Sequence, residues 1–466
     1  MSSQSHDLAI IGGGPGGYVT AIRAAHHGQR VALIEQHEPG GVCLHTGCIP
    51  TKTMAASAGL MRQAQAARLA GISIDPDANF LGQINLRRQD VVTALAKGIQ
   101  HLISKNQVDL IPGRGRLDEN GAIVVTTPNG QTVNIARPPA LVLATGSHPT
   151  DIPIAPRDGH RILNSDDILT LEQKPGHLLI LGGGYIGCEF ASIFSQLGSQ
   201  VTIIEMESRL LAGMDPDLAQ ILQRSFKRAG IAQHLGRRLE TAVAEDNVQV
   251  TLDDGTKLEG DQLLVAVGRT PNTENLGLDH AGIQLDGTAI RVNDRMETTV
   301  PGVFAIGDVT GKMQLAHVAT AQGRVVVENL ANPKANAAMD YDQIPAAVFT
   351  HPEIATIGLT ETQATERGLP VQTGRFPFAA IGKALAEGNT EGFVKLIAHA
   401  DTGRLLGGHI IGGHAAELIG QVTLAIKLGA TAAQLTETIF AHPTLSEAVL
   451  EAAEGTFGQA THAARR

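Results

Sequence analysis

Two stretches of the chain follow one pattern. The first runs Leu8-Ala-Ile-Ile-Gly12-Gly13-Gly14-Pro-Gly-Gly17, then a helical stretch, then Val31-Ala-Leu-Ile-Glu35. The second runs Leu178-Leu-Ile-Leu-Gly182-Gly183-Gly184-Tyr-Ile-Gly187, a helical stretch, and Val201-Thr-Ile-Ile-Glu205. Each reads as apolar strand, glycine turn, helix, second strand and terminal acid, with the same interval from first glycine to acid (12 to 35, 182 to 205). A Gly-x-Gly-x-x-Gly run alone is a weak signal. Placed between a strand and a helix, with an acid closing the next strand, it has the physics of a dinucleotide site. The glycines let backbone N–H groups approach a pyrophosphate at a helix N-terminus, and the acid accepts a hydrogen bond from a ribose 2′-OH. The plainer alternative is a pair of parallel βαβ units with tight turns and no ligand.

At 466 residues the chain is too long for one core, so two to four domains are expected. Two strands return beneath the nucleotide sheets, Leu141-Val-Leu-Ala144-Thr145-Gly146 and Leu263-Leu-Val-Ala-Val-Gly268-Arg269. A third strand, Val303-Phe-Ala-Ile-Gly307-Asp308, delivers a carboxylate at a strand C-terminal end, where ligands bind in α/β sheets. After about residue 343 the pattern changes to short strands (Ala346-Ala-Val-Phe-Thr, Phe393-Val-Lys-Leu-Ile, Leu405-Leu-Gly-Gly-His-Ile-Ile) with helices near 415–429 and 445–454. The fold class is therefore α/β: two Rossmann-like dinucleotide-binding domains plus a C-terminal α+β domain. The expected division is 1–148, 149–271, a central unit 272–342, and 343–466, with a loose tail from about Gly458 to Arg466.

Charge and aromatic content exclude other classes. The net charge is −10, no long basic run occurs, aromatic residues make up 3% and Trp is absent. Nucleic acid and anionic membrane are poor partners for such a surface. No apolar stretch reaches the ~18 residues of a membrane span. The opening Met1-Ser-Ser-Gln-Ser-His-Asp lacks a basic, apolar leader, so a cytoplasmic protein is expected.

Of the three cysteines, two lie in Gly40-Gly41-Val42-Cys43-Leu44-His45-Thr46-Gly47-Cys48-Ile49-Pro50-Thr51-Lys52. Positions five apart in a regular helix exceed disulfide reach, so a bridge here needs a distorted turn, which Gly47 permits. Pro50 is tolerated in a first helical turn, which places Cys48 at a helix N-terminus, where the dipole favours a thiolate. Lys52 falls on the same face as Cys48. A zinc site would need more ligands than His45 offers, and a pair of inert thiols is the bland alternative. A redox disulfide beside a flavin fits the thiolate position and the preceding fingerprint. Cys188, in Gly187-Cys-Glu-Phe, has no partner in sequence and reads as a packed, inert thiol.

The Cys43 to Lys52 segment resembles the redox signature of the FAD disulfide reductases that share the glutathione reductase fold, and in its Cys-Leu and Ile-Pro-Thr-Lys details the dihydrolipoamide dehydrogenases. His45 departs from that family's usual Asn. The resemblance extends through both fingerprints, Val267-Gly268-Arg269-Thr-Pro-Asn272, Gly307-Asp308, Leu315-Ala316-His317, the Thr350 to Glu361 segment and Ala441-His442-Pro443-Thr444-Leu-Ser-Glu447. It implies FAD on Gly12, Gly14, Gly17 and Glu35, with Lys52 near the flavin and paired with Glu189. Gly115, Thr145, Gly146, Asp308, Gln314, Leu315, Ala316 and His317 complete that site. It implies NAD on Gly182, Gly184, Tyr185, Gly187, Glu205 and Gly268; from its position in that turn, Tyr185 is expected to cover the flavin when NAD is absent. Cys48 is the implied thiolate next to the flavin and Cys43 the outer, exchanging thiol. His442, oriented by Glu447, moves protons for the dithiol. In the family this dyad comes from a second subunit, so a homodimer is implied. The partners are lipoylated acyltransferases or lipoyl-carrier proteins of multienzyme complexes. Glu447 has a structural alternative, a capping box with Thr444 for a helix starting at Leu445.

Rivals remain. Glutathione reductase activity prefers NADPH, and Glu205 would repel its 2′-phosphate, although Arg209 lies close by. Mercuric reductases and large thioredoxin reductases use extra C-terminal redox residues, and no cysteine follows Cys188. A binding subunit with a structural flavin would explain the folds but not Cys43, Cys48, Lys52 and His442 together.

Overall fold

A computed structural model of the protein describes residues 5–67, 71–73 and 80–462. Its first sheet has five strands in the order Val303–Ala305, Ala140–Leu143, Leu8–Ile11, Val31–Glu35, Asp109–Pro112, all neighbours parallel. Strands 8–11, 31–35 and 140–143 are buried along their whole length, as expected when helices cover both faces of a parallel sheet. The second sheet repeats the plan: Ala232–Leu235, Gln200–Glu205, His177–Leu181, Gln262–Val265, Ile162–Leu163, again parallel. Each is accompanied by a three-stranded antiparallel sheet, 114–135 beside the first and 239–260 beside the second. The internal echo of the sequence is thus an echo of whole units.

The chain returns to the first sheet after making the second, since its edge strand is Val303–Ala305. The expected boundary at 148/149 cuts the strand Ser147–Pro149, which pairs antiparallel with Arg269–Pro271. This ribbon, a double crossing between the two units, could not be read from apolar periodicity because it is too short to have one.

The third unit is a five-stranded antiparallel sheet, Ala346–Val348, Glu353–Gly358, Leu405–Gly412, Phe393–His399, Val371–Pro377. Helices Ala415–Lys427 and Glu447–Gly455 pack on it through Leu418, Val422, Ala448, Val449 and Ala452. The tail differs from expectation. Thr461 donates to Glu454 and His462 to Glu451, so the chain stays tied to its last helix through residue 462, and 463–466 lie outside the described residues. Among the described residues, no helix is long and apolar enough to cross a membrane.

Candidate active site

The two glycine turns are built alike. A Cβ on Gly12 would sit 2.2 Å from the Ala144 carbonyl oxygen, and one on Gly182 would sit 2.4 Å from that of Ala266. Both glycines have positive φ, 108° and 112°. A Cβ on Gly17 or Gly187 would meet the carbonyl oxygen of Gly12 or Gly182 at 1.8 and 1.9 Å. Gly12 and Gly182 bring each turn against the end of the returning strand, and Gly17 and Gly187 bring each helix against its turn. Gly14 and Gly184 differ: the nearest atom to a Cβ at Gly14 is 3.9 Å away, and nothing lies within 4 Å at Gly184. That open side, at the N-termini of helices Pro15–His26 and Tyr185–Gln196, fits a pyrophosphate.

The acids close each turn. Glu35 accepts the Gly13 N–H at 2.5 Å and the His37 N–H at 2.8 Å. Glu205 likewise accepts the N–H of Gly183, and that of Glu207 at 2.7 Å. Both carboxylates are held by backbone donors and keep further lone pairs for a ribose. Arg209 donates to the Ala212 carbonyl at 2.6 Å, turned into its own loop.

A cavity of about 980 Å³ opens from the first turn. It is lined by Gly12, Gly14, Glu35, Gly115, Thr145, Gly146, Asp308, Gln314 and Ala316, and by Cys43, Cys48, Lys52, Tyr185 and Glu189. Its size is at the upper end for small-molecule sites, as a two-part ligand such as FAD requires. Four helices of twelve or more residues begin at its wall, at Pro15, Cys48, Tyr185 and Ala316, so their positive ends favour negative charge inside it. Gly17, Leu315 and His317 do not line it. Gly17 is the close-packing glycine, Leu315 precedes helix Ala316–Ala331, and His317 donates to the Pro345 carbonyl at 2.7 Å. Gly182, Gly184 and Gly187 of the second turn, with Glu205 and Gly268 at the ends of neighbouring strands, lie outside the cavity, while Tyr185 and Ile186 belong to both turn and cavity.

Cys43 sits on the short helix Gly41–His45, and Cys48 opens helix Cys48–Ala67. Both are thiols here, and each acts on the other's ionisation. Hydrogen-bonding interaction with Cys43, aided by the Lys52 charge, outweighs burial and brings the Cys48 thiol down from 9.0 to about 7. The same interaction and burial push Cys43 up. Lys52 Nζ lies 3.0 and 2.8 Å from the two oxygens of Glu189, which is 3% exposed. Glu189 also accepts the Phe349 N–H at 2.9 Å, and the Phe349 ring lies 4.8 Å from Lys52 Nζ. His45 donates to the Pro39 carbonyl at 3.2 Å, bracing the loop between turn and cysteines. Cys188 is fully buried with its thiol on the Gly183 carbonyl at 3.3 Å, and burial pushes it up, as expected for a packed thiol.

Sequence reading missed several lining groups. Ser147 donates to Asp308 at 2.6 Å and accepts from Arg269 at 2.8 Å, which fixes the carboxylate at the cavity. Asp166 lines the cavity too, its carboxyl pushed up by burial. Ser147 directly follows Ala-Thr-Gly146 and Arg269 follows Gly268, so adjacency to the returning glycines was the available signal.

His442 Nδ1 lies 2.8 Å from Glu447, outside this set: among the described residues, none after Ala319 lines the cavity. The capping box is only half formed. Glu447 accepts the Thr444 N–H at 2.8 Å, but the Thr444 hydroxyl turns back to the Ala441 carbonyl at 2.7 Å, and the helix starts at Glu447 rather than Leu445. Among the described residues no cluster of three or more His, Cys, Asp or Glu is arranged to hold a metal.

Residues 6–323 match the pyridine nucleotide-disulphide oxidoreductase family, and residues 344–453 match that family's dimerisation domain. The chain belongs to this family. Among relatives of this oxidoreductase, the dihydrolipoyl dehydrogenase of Chlamydia muridarum is 42% identical over 97% of each chain. That of Bacillus subtilis is 38% identical over 98% of this chain and 99% of its own. The crystal structure of LpdA from Mycobacterium tuberculosis superposes with a TM-score of 0.91 at 31% identity, covering 96% of this oxidoreductase and 98% of that chain. The HOCl-induced flavoprotein disulfide reductase RclA of Escherichia coli gives 0.84 at 31% identity, covering 96% and 99%.

Proposed function

We propose that this protein is a dihydrolipoyl dehydrogenase that reoxidises protein-bound dihydrolipoamide to lipoamide with NAD as final acceptor. The observation that carries the reading is placement: Cys48 opens helix Cys48–Ala67 and Cys43 sits on the short helix just before it, both on the wall of a cavity sized for FAD. The near-full-length similarity to dihydrolipoyl dehydrogenases supports the substrate.

Gly12, Gly14, Glu35, Gly115, Thr145, Gly146, Asp308, Gln314 and Ala316 would hold FAD; Gly182, Gly184, Glu205 and Gly268 would hold NAD. When bound, FAD supplies a two-electron relay between the thiol pair and NAD. The residues do the rest. Dihydrolipoamide attacks Cys43 in the Cys43–Cys48 disulfide while His442 takes the proton of the attacking thiol, and Cys48 leaves as thiolate. The second substrate thiol attacks the substrate sulfur of the mixed disulfide, its proton passing to the departing Cys43, and lipoamide is released. The helix dipole and Lys52 hold the Cys48 charge. Glu189 keeps Lys52 in place. Tyr185 stands between cavity and NAD turn, as a cover for the flavin requires; unchanged NAD affinity and flavin spectrum in Tyr185→Phe would remove that role.

We read the protein as a homodimer in which a second copy supplies the dyad: residues 344–453 match the family's dimerisation domain, and His442 does not line the cavity of its own chain. Exposed Leu424, Leu428 and Ile439 on the matching domain give such a copy an apolar face. The partners are lipoylated acyltransferases or lipoyl carriers of 2-oxoacid dehydrogenase or glycine-cleavage complexes, in the cytoplasm. Against an NADPH-dependent glutathione reductase stand Glu205 and the turned-in Arg209.

The test is NAD reduction by free dihydrolipoamide with purified protein, with Cys48→Ser as control. Turnover that vanishes in the control supports the reading. A flavin-loaded protein without turnover sinks it.

A further inference from the structure

Strand Phe393–His399 is buried from Phe393 to Ala398, yet it carries Lys395, which is 5% exposed. A lysine there must be paired. Its ammonium lies 3.0 Å from Asp215 Oδ2, 3.0 Å from Asp217 Oδ2 and 3.4 Å from Glu361 Oε2. Asp215 belongs to the other unit. It is fully buried and caps helix Pro216–Arg228, accepting the Asp217 N–H at 2.9 Å. The far end of the same helix is fastened too, because Glu391 of the third unit accepts from Ser225 at 3.2 Å and from Arg228.

The helix is tied in turn to the second glycine turn. The loop from Glu205 to Asp215 folds back so that Leu211 donates to the Gly183 carbonyl at 2.9 Å, and Met214 donates to Leu211 at 2.8 Å. Leu211 is a non-glycine residue at φ 50°, a conformation that surrounding contacts must enforce. Gly183 is the residue whose N–H Glu205 holds. One line of bonded groups thus runs from Lys395, through the helix cap and loop, to the turn.

We propose that Lys395 is a positioning residue for the dinucleotide: from the C-terminal domain it holds the Asp215 end of the helix and so sets the Gly182–Gly184 turn. The proposal rests on the reading that this turn binds NAD. A lysine that merely neutralises buried carboxylates would affect stability alone.

Lys395→Met strands the Asp215 charge and risks misfolding. The informative variants are Lys395→Met with Asp215→Asn, which removes the pair but keeps a capping side chain, and Asp217→Asn, whose site is partly exposed. NAD binding to the oxidised holoenzyme is measured by calorimetry, alongside flavin content and the rate at which dihydrolipoamide bleaches the flavin without NAD. The expected result for the double variant is an NAD Kd raised about tenfold, with a smaller rise for Asp217→Asn. Flavin content and bleaching rate should stay at wild-type values. An unchanged Kd in the flavin-loaded double variant, or a Kd and a bleaching rate that worsen together, overturns the proposal. Wild-type protein that does not bind NAD overturns the reading beneath it. Wild-type protein that binds NAD but does not bleach sinks the dihydrolipoamide reading, and the Kd comparison then decides the role of Lys395.

Discussion

His442 and Glu447 are joined by a 2.8 Å contact between Nδ1 and Oε1, while the other oxygen of Glu447 holds the Thr444 N–H at 2.8 Å. The carboxylate is therefore fixed before it orients the ring. Burial raises the Glu447 carboxyl, but the bonds from His442 and Thr444 outweigh it and keep it below its ordinary value. With Nδ1–H on the carboxylate, Nε2 is the basic nitrogen.

Glu447→Gln keeps the shape and removes the charge. Its kcat/KM for dihydrolipoamide is expected to fall by about 10- to 100-fold, less than the roughly 100- to 10,000-fold of a general acid–base group itself, because Glu447 acts through His442. Flavin content should not change. Wild-type steady-state kinetics in this variant would refute the dyad.

The thiols give a pH dependence. Cys48 in the reduced protein should ionise near pH 7, against 9.0 for an ordinary thiol. Its ionisation stabilises the reduced fold in full above about pH 9, and that contribution is lost as pH falls through about 7. Lys52→Met removes the nearby positive charge, so its ionisation midpoint should move up. Alkylation rate against pH, with the modified cysteine identified by mass spectrometry, measures both. An unmoved midpoint in Lys52→Met would show that the ammonium does not stabilise the thiolate.

The glycines of the second turn should separate into two kinds. Gly187→Ala drives a methyl group into the Gly182 carbonyl and is expected to cost at least about 1–3 kcal/mol in thermal or denaturant unfolding. Gly184→Ala has open space and an ordinary φ of −72°, so the protein should fold normally while NAD Kd rises by about tenfold or more. Equal stability losses in the two variants would contradict the assignment of the open side to the ligand.

Glu205→Ala should lower NAD affinity without creating NADP affinity. It frees the Gly183 and Glu207 N–H groups and leaves Arg209 on Ala212. Loss of such a bond costs about 1–3 kcal/mol, on the order of 10- to 100-fold in Kd. NADP binding gained in this variant would show that Arg209 swings out.

Much of this architecture was legible because its determinants are local. Gly12 and Gly182 sit where only a glycine clears a carbonyl, and Cys48 opens its helix for reasons contained within a few residues. What stayed hidden depends on chain crossings. Ser147 meets Arg269 because two short segments pair across 122 positions, and Lys395 looks like an ordinary polar residue until Asp215 is folded against it. The Thr444 capping motif misled for a related reason: its hydroxyl had a nearer acceptor in Ala441.

The first sheet has one more consequence, for how the protein is made. Its central strand Leu8–Ile11 emerges early, but the edge strand Val303–Ala305 pairs with Ala140–Leu143 from about 160 residues farther along. At roughly 5–20 residues per second of synthesis, that wait is on the order of ten seconds or more. The strands of the second sheet, by contrast, all lie between Ile162 and Val265. On a ribosome, the unit written second can close its sheet first, while the unit written first waits with an open flank.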